Sequence, residues 1–416
     1  MSEDIPACRI HEKHDWIVCS NAALSGDLDG LCLLHSLDKQ KDIEGAFTAA
    51  VKEKLERKDN DFRGVFFPIK ADFRGHEFQE QADFTLAIFS DVADFKGSTF
   101  FKSASFYATT FDQEANFNGV TIPENQEVHF RGTEFSEKRE VIFRGANVFG
   151  RLIFEQINLP YDKTKNRSWY GDFIRVNLGP TAILRFRDTS LALVRFEGTD
   201  LNRIEFEGVE WYPLGWREAI YDEILLREKD MEHFSYVMSN TSYLADVLPQ
   251  GLVLKDVRYL FYSAYPLVEG LYRKLKLNYE ICGDHKNAGY FHYGEMEMYR
   301  RSDRWRPLPL SFCSIYWALS GYGERPVWAL AWLVAFLTVF TGLLAWAGLE
   351  ILEPKHSAGF GNSFFYLLQK VTLQRPTWAE PAGFFGKLVA GLSVLLIPGQ
   401  AALFVLALRN RLGRRR

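Results

Sequence analysis

The stretch ADFRGHEFQEQADFTLAIFSDVADFKGSTFFKSASFYATTFDQEANF, residues 71–117, decides the fold. Phe stands at 73, 84, 95, 106 and 117, eleven apart, and a second series at 78, 89, 100 and 111 keeps the same interval. Upstream the two series begin at Phe62 and Phe67. Interleaved, they step five, then six. Two places before each first-series Phe stands Ala71, Ala82, Ala93, Ala104 or Ala115. Neither a helical period of 3.6 nor a strand period of 2 fits this spacing. A chain that turns a corner about every five residues does. Each Phe then points inward and stacks on its counterpart one coil on, and the Ala fills what little room remains. Each coil buries its face only against its neighbours, as in solenoids. The ladder therefore reads as structural core and not as a ligand-binding stripe.

Outward from that stretch, the pattern runs raggedly through Phe130, Phe135, Phe143, Val148, Phe154 and Leu159. It becomes a strict five at Phe186, Leu191, Phe196, Leu201, Phe206 and Trp211. Over residues 60–212 the repeat resembles the pentapeptide-repeat family, and the resemblance implies a right-handed quadrilateral β-helix. The five-plus-six spacing and the break within 160–180 (PYDKTKNRSWYGDF) lead us to expect bulges or an inserted loop. Some members of that family mimic duplex DNA. Here many Arg and Lys stand between the Asp and Glu, which argues against DNA mimicry.

The 416 residues are enough for two or three domains. The net charge of −4 gives no basic signature for nucleic acid. The start, MSEDIPACRIHEKHDW, has no apolar core of a signal peptide, so no cleavable one is expected. Five Cys, three of them crowded at the amino end, do not look like a disulfide framework and fit a reducing compartment.

Two uncharged stretches stand near the carboxyl end: VWALAWLVAFLTVFTGLLAWAG, 327–348, and LVAGLSVLLIPGQAALFVLAL, 388–408. The first would be about 33 Å long as a helix, enough to cross a bilayer. Core helices of a large soluble domain are the other reading, but the length and the basic flanks favour membrane spans. Arg300, Arg301, Arg304, Arg306 and Arg325 precede the first stretch; Arg409, Arg411, Arg414, Arg415 and Arg416 follow the second. Excess Arg stays on the cytoplasmic side, so both termini are expected there and the intervening loop outside, in a cell (inner) membrane protein. That loop carries FGNSFFYLLQKVTL, 360–373, too short to span and readable as a re-entrant segment. The segment 308–326 fits an interfacial cuff helix.

The order YWALSGYGERP, span, FFYLLQKVTL, span, ALFVLALRNR resembles the two-transmembrane pore module of the potassium-channel superfamily, over about the last 100 residues. The resemblance implies a tetramer with the second span lining the pore, Thr372 at the start of the filter and Lys370, Gln374, Arg375 and Trp378 beside the constriction. The family continues Val-Gly-Tyr-Gly after that Thr. This chain continues Leu373-Gln374-Arg375-Pro376-Thr377-Trp378, without the glycines, so potassium selectivity is not implied. Pro398-Gly399, midway along the second span, reads as a gating hinge or as a fixed kink.

At the amino end, Cys8 and Cys19 are followed by Cys32-Leu33-Leu34-His35. Cys-x-x-His lets both side chains reach one ion, and three thiolates with one imidazole suit structural, tetrahedral zinc. His11 or His14 could replace one of them, and buried free thiols are the alternative. DIEGAFTAAVKEKLERK, 42–58, has helical periodicity, and the pattern is again helical over 214–306. There, VEGLYRKLKLNYEICGDHKNAGYFHYGEMEMYRR reads as a helical hairpin of tetratricopeptide type, turning at Gly283-Asp284-His285-Lys286, a sensor or merely a connector.

No catalytic constellation stands out: Gly383-Phe384-Phe385-Gly386-Lys387 is not a P-loop, and there is no nucleophile elbow or zincin motif. The expectation is a non-enzymatic chain of mixed fold. It comprises a zinc-binding segment 1–40, a linking helix 41–59, a β-helix 60–212, a helical connector 213–307 and a membrane pore-like domain 308–416. Two functions compete. One is a homo-oligomeric ion channel, pore or defence effector, regulated through a cytoplasmic protein or small molecule. The other is a scaffold that the two spans merely anchor to the lipid bilayer.

Overall fold

Eleven-residue spacing becomes architecture through the pairing register. In the computed structural model, which describes residues 6–136, 140–158, 169–228, 264–302, 311–352, 356–357 and 359–413, Phe67 pairs with Phe89 and Phe89 with Phe111, a step of 22 residues. One coil is thus two eleven-residue units and presents four corners. Four parallel sheets follow, of four, six, five and six strands, which begin at Phe66, Ala71, Glu77 and Ala82. Most strands are two residues long, because the chain turns before a third can pair.

Inside, the Phe side chains form columns. Phe73 stacks on Phe95 at 4.8 Å and Phe95 on Phe117 at 4.8 Å; Phe84 stacks on Phe106 at 4.9 Å and Phe106 on Phe130 at 4.6 Å. These are the spacings of neighbouring parallel strands, so ring stacking and main-chain pairing agree. Between columns the rings meet edge to face, as Phe84 and Phe95 do at 5.4 Å, an arrangement favoured by the ring quadrupole. The Ala at each first-series corner is buried with them.

Two residues after each first-series Phe, within the five-residue step, the backbone turns left-handed. Gly takes this place at 64, 75, 97 and 119, but Leu86 and Ala108 adopt it too. Farther on the coils lengthen: 30 residues separate Val148 from its partner Leu178, and 32 separate Phe154 from Phe186. The step then falls to 20 between Phe186 and Phe206, four units of five. The expected inserted loop falls at 159–168, outside the described residues.

Both open ends of the solenoid are covered. At the amino end the helix Ala46–Glu56, shorter than the 41–59 expected, places Phe47 edge-on against Phe67 at 5.6 Å. At the carboxyl end Asn278 donates both amide hydrogens, to Leu201 O (2.9 Å) and Ile204 O (2.8 Å). Covering the edge removes the unpaired strand that invites aggregation.

The region expected to be helical from 214 opens instead on a β-hairpin, Tyr212–Leu214 with Arg217–Ala219. Its two-residue turn puts Gly215 at φ +65°, the left-handed first position of a tight hairpin. Helix follows at 221–228, then Ala264–Ile281 and His285–Ser302. A buried ion pair ties the first of these together: Arg217 Nη2 bonds both carboxylate oxygens of Glu223 at 2.7 Å, and Tyr272 donates its hydroxyl to the same carboxylate.

The chain forms two compact units, Met1–Asn278 and Tyr279–Arg416. In the second unit, helices Pro326–Ala347 and Gly383–Gly413 are long and apolar enough to cross a membrane. The first is displaced by one residue from 327–348. The second overshoots 388–408 at both ends, since its flanks carry no helix stop before Gly413. The helix Phe360–Val371 packs against both.

Candidate functional sites, a metal centre and a re-entrant helix

The amino-terminal segment is a set of tight turns around sulfur. Cys8 is held by its main-chain bond to Asn21 O (2.9 Å). Asp27 Oδ1 accepts from Asp29 N and Leu31 N, closing the turn that delivers Cys32. One turn, in which His35 N and Ser36 N both bond Cys32 O, then brings His35 back beside Cys32. The ligand atoms of Cys8, Cys19, Cys32 and His35 all lie within 4.8 Å of one another. Cys19 Sγ is 3.8 Å from Cys32 Sγ, and His35 Nδ1 is 3.2 Å from Cys32 Sγ and 3.5 Å from Cys8 Sγ. A tetrahedral ion with metal–sulfur bonds of 2.3 Å sets its sulfurs about 3.8 Å apart. The donor set therefore fits, and the cluster can hold a metal ion. His35 takes the fourth place, while His11 and His14 stay outside; His14 lies against Trp16. A shared hydrogen bond lowers the pKa of Cys32 and raises that of Cys19.

In the second unit the short helix is the centre of an apolar cluster. Tyr366 and Leu367 pack with Phe340 and Leu344 of the first apolar helix and with Val389, Ala390 and Ile397 of the second. Phe340 lies about 10 Å from the end of its helix and Ile397 about 21 Å from the start of the other. The short helix thus packs against both long helices in one apolar cluster. Strands Leu349–Ile351 and Ala379–Pro381 pair antiparallel and close the loop at its mouth.

The sequence-derived pore residues sit at the carboxyl end of that helix. Lys370 is half-buried in its last turn; Thr372, Gln374 and Arg375 are exposed. Thr372 bonds Leu368 O and Gln369 O through its hydroxyl. Gln374 N reaches Gln369 O (2.9 Å) and Leu373 N reaches Lys370 O (3.1 Å), with Leu373 at φ +60°. This is a helix-ending motif that satisfies its own last carbonyls. Trp378 donates its indole N–H to Gln369 Oε1 (2.7 Å), bracing the loop between them.

Pro398 and Gly399 lie inside one continuous helix, Gly383–Gly413. The next residue, Gln400, is buried and donates to Leu319 O (3.0 Å) and Ala329 O (2.9 Å). Asn410 Nδ2 reaches Gly323 O (3.2 Å) in the turn after helix Phe312–Ser320. That turn is held in its own way: Tyr322 OH donates to Glu297, and Trp317 Nε1 to Tyr293 OH. Burial would raise the pKa of Glu297, but Arg300 and Arg301 outweigh it and hold the carboxyl below its ordinary range. A chain of polar contacts thus links His285–Ser302 to the second apolar helix. Sequence reading passed over Gln400, although an amide in the middle of an uncharged stretch is the signal that marks such a residue.

No family model, curated protein or solved structure matches the chain.

Proposed function

We propose that the protein is a homo-oligomeric, tetrameric ion channel of the cell membrane, non-enzymatic, with both termini and the solenoid in the cytoplasm. The solenoid is read as a pentapeptide-repeat regulatory domain that takes a protein or small-molecule signal and not nucleic acid. The observation that carries the reading is the short helix packed on both apolar ones, with Lys370, Thr372, Gln374 and Arg375 at its carboxyl end. Irregular, polar backbone at membrane depth is tolerated only against protein or a water-filled cavity. A ring of such ends around a shared axis supplies that cavity, in the manner of the potassium-channel superfamily. The contacts of Gln400 and Asn410 give the cytoplasmic helices a handle on the second span. A signal moves such a pore only by its differential affinity for the closed and open states. In the metal centre we propose structural zinc, since four protein ligands leave no open position.

One observation favours an anchored scaffold instead. Gln369 and Lys370 spend their carbonyls on the helix end, so these groups are not offered to an ion. Single-channel recording of the full chain in planar bilayers separates the two. Discrete currents whose reversal potential shifts in Arg375→Ala support the channel. Silence in wild type and in a Pro398→Ala, Gly399→Ala variant moves the assignment to the scaffold.

A further inference from the structure

Lys41 is a buried ammonium, 3% exposed. It donates to Leu34 O (2.8 Å) and Ser36 O (2.9 Å), the carbonyls on either side of His35. It also lies over the rings of Phe47 (4.6 Å) and Phe66 (5.2 Å). Carbonyls and rings solvate an ammonium in part, but a buried charge also needs a counter-charge. Burial pushes Lys41 down to about 7, and the group that opposes this most is Cys32, ahead of Asp27 and Asp38. Its hydrogen bonds set the ammonium against the loop that carries His35, beside the sulfur cluster. Three thiolates and a neutral imidazole around a divalent ion carry a net charge of −1. The single charge of Lys41 balances it.

A second contact leaves the cluster on the other side. With His35 Nδ1 facing the sulfurs, Nε2 stands 3.1 Å from Arg63 O. Metal on Nδ1 leaves the proton on Nε2, so the ring donates to that carbonyl and its tautomer is fixed. Arg63 belongs to the first corner of the solenoid, between Phe62 and Gly64. Beside it, Phe66 N donates to Leu34 O (3.0 Å), so the first strand of the solenoid is bonded to the loop between the last two ligands. Leu34 O thereby accepts from both Lys41 and the first strand.

We infer that Lys41 and the Arg63 carbonyl form the outer shell of the metal centre, and that the occupied centre fastens the first coil of the solenoid to its cap. Lys41 is a positioning residue: it balances the charge of the thiolate-bound ion and holds the Leu34–Ser36 loop, without touching the metal. The inference rests on the zinc reading above.

The experiment uses the full chain in detergent. Elemental analysis gives the zinc content of wild type, and competition with a chromophoric chelator gives zinc affinity for wild type, Lys41→Met and Lys41→Arg. Expected are one zinc per chain, an affinity about 10- to 100-fold weaker in Lys41→Met, and a smaller loss in Lys41→Arg. Hydrogen exchange on wild type, before and after stripping zinc, needs no variant. Amides 62–67 are expected to lose protection while those of 183–187 keep theirs. Wild type without zinc that takes up none sinks the zinc reading and this inference together. Wild type that binds zinc, with Lys41→Met binding as tightly, overturns the role of Lys41. Unchanged exchange at 62–67 on stripping overturns the fastening.

Discussion

Phe95 shows how much one side chain carries in the solenoid. It stacks on Phe73 and Phe117 and meets Phe84 and Phe106 edge to face, with no exposure to solvent. Phe95→Asp removes these contacts and buries a carboxylate, and a loss of more than about 4 kcal/mol is expected. Thermal melting and protease resistance check it; an unchanged melt would overturn the inward placement of the ladder. Ala108 points the other way. Its left-handed backbone, φ +49°, costs about 1 kcal/mol that glycine does not incur, so Ala108→Gly is expected to raise the melting temperature slightly. The Phe and Ala positions were legible in the sequence because spacing alone separates inward from outward. Leu86 and Ala108 were not, since nothing in their side chains announces a left-handed turn; the neighbouring coils impose it.

At the scale of elements, helix 221–228 closes one side of the last coils with a carboxylate. Asp222 is buried and accepts from Phe196 N, at 3.1 Å from Oδ2. Burial raises its pKa to about 6, well above the value of an unfolded Asp. The folded chain therefore binds this proton more tightly than the unfolded one. The stability this contributes is present below about pH 4 and is lost as pH rises through 6, a change of about 3 kcal/mol. Asp222→Asn keeps an acceptor without the charge, so its urea midpoint is expected to fall less than that of wild type between pH 4 and pH 7. Equal falls in both proteins would show that Asp222 does not titrate in that window. The second apolar helix offers a parallel case. Gln400→Leu strips two hydrogen bonds from the carbonyls of Leu319 and Ala329, and a loss of about 1–3 kcal/mol is expected in denaturant titration of the protein in detergent. An unaltered midpoint would mean that the amide does not hold these segments together.

For the whole molecule, the exposed apolar side chains of the second unit bear on assembly. Val334, Val339, Leu392, Leu395 and Val405 of the two long helices are exposed on one chain, as lipid or a second copy requires. In the proposed channel the exposed polar residues Thr372, Gln374 and Arg375 would face the shared axis. Crosslinking in native membranes is expected to give a ladder that stops at four chains, and a monomer at every crosslinker concentration would remove the channel assembly. Arg375→Ala leaves that ladder unchanged if the ring of charge serves conduction and not association.

Period, length and charge were enough to derive the solenoid, the two long apolar helices and the Cys-x-x-His half-site. Each is a local pattern: a corner every five or six residues, twenty-odd uncharged residues, two ligands one turn apart. Burial enforces such patterns whatever lies elsewhere in the chain. Folding in three dimensions brought Cys8 and Cys19, 24 and 13 residues from Cys32, into the cluster and left the possible substitutes His11 and His14 outside it. It set the coil step at 22, joined Leu349–Ile351 to Ala379–Pro381, and brought Gln400 to Leu319 and Ala329. These outcomes depend on which distant backbone groups lack a partner once the core has packed, and no spacing along the chain records that.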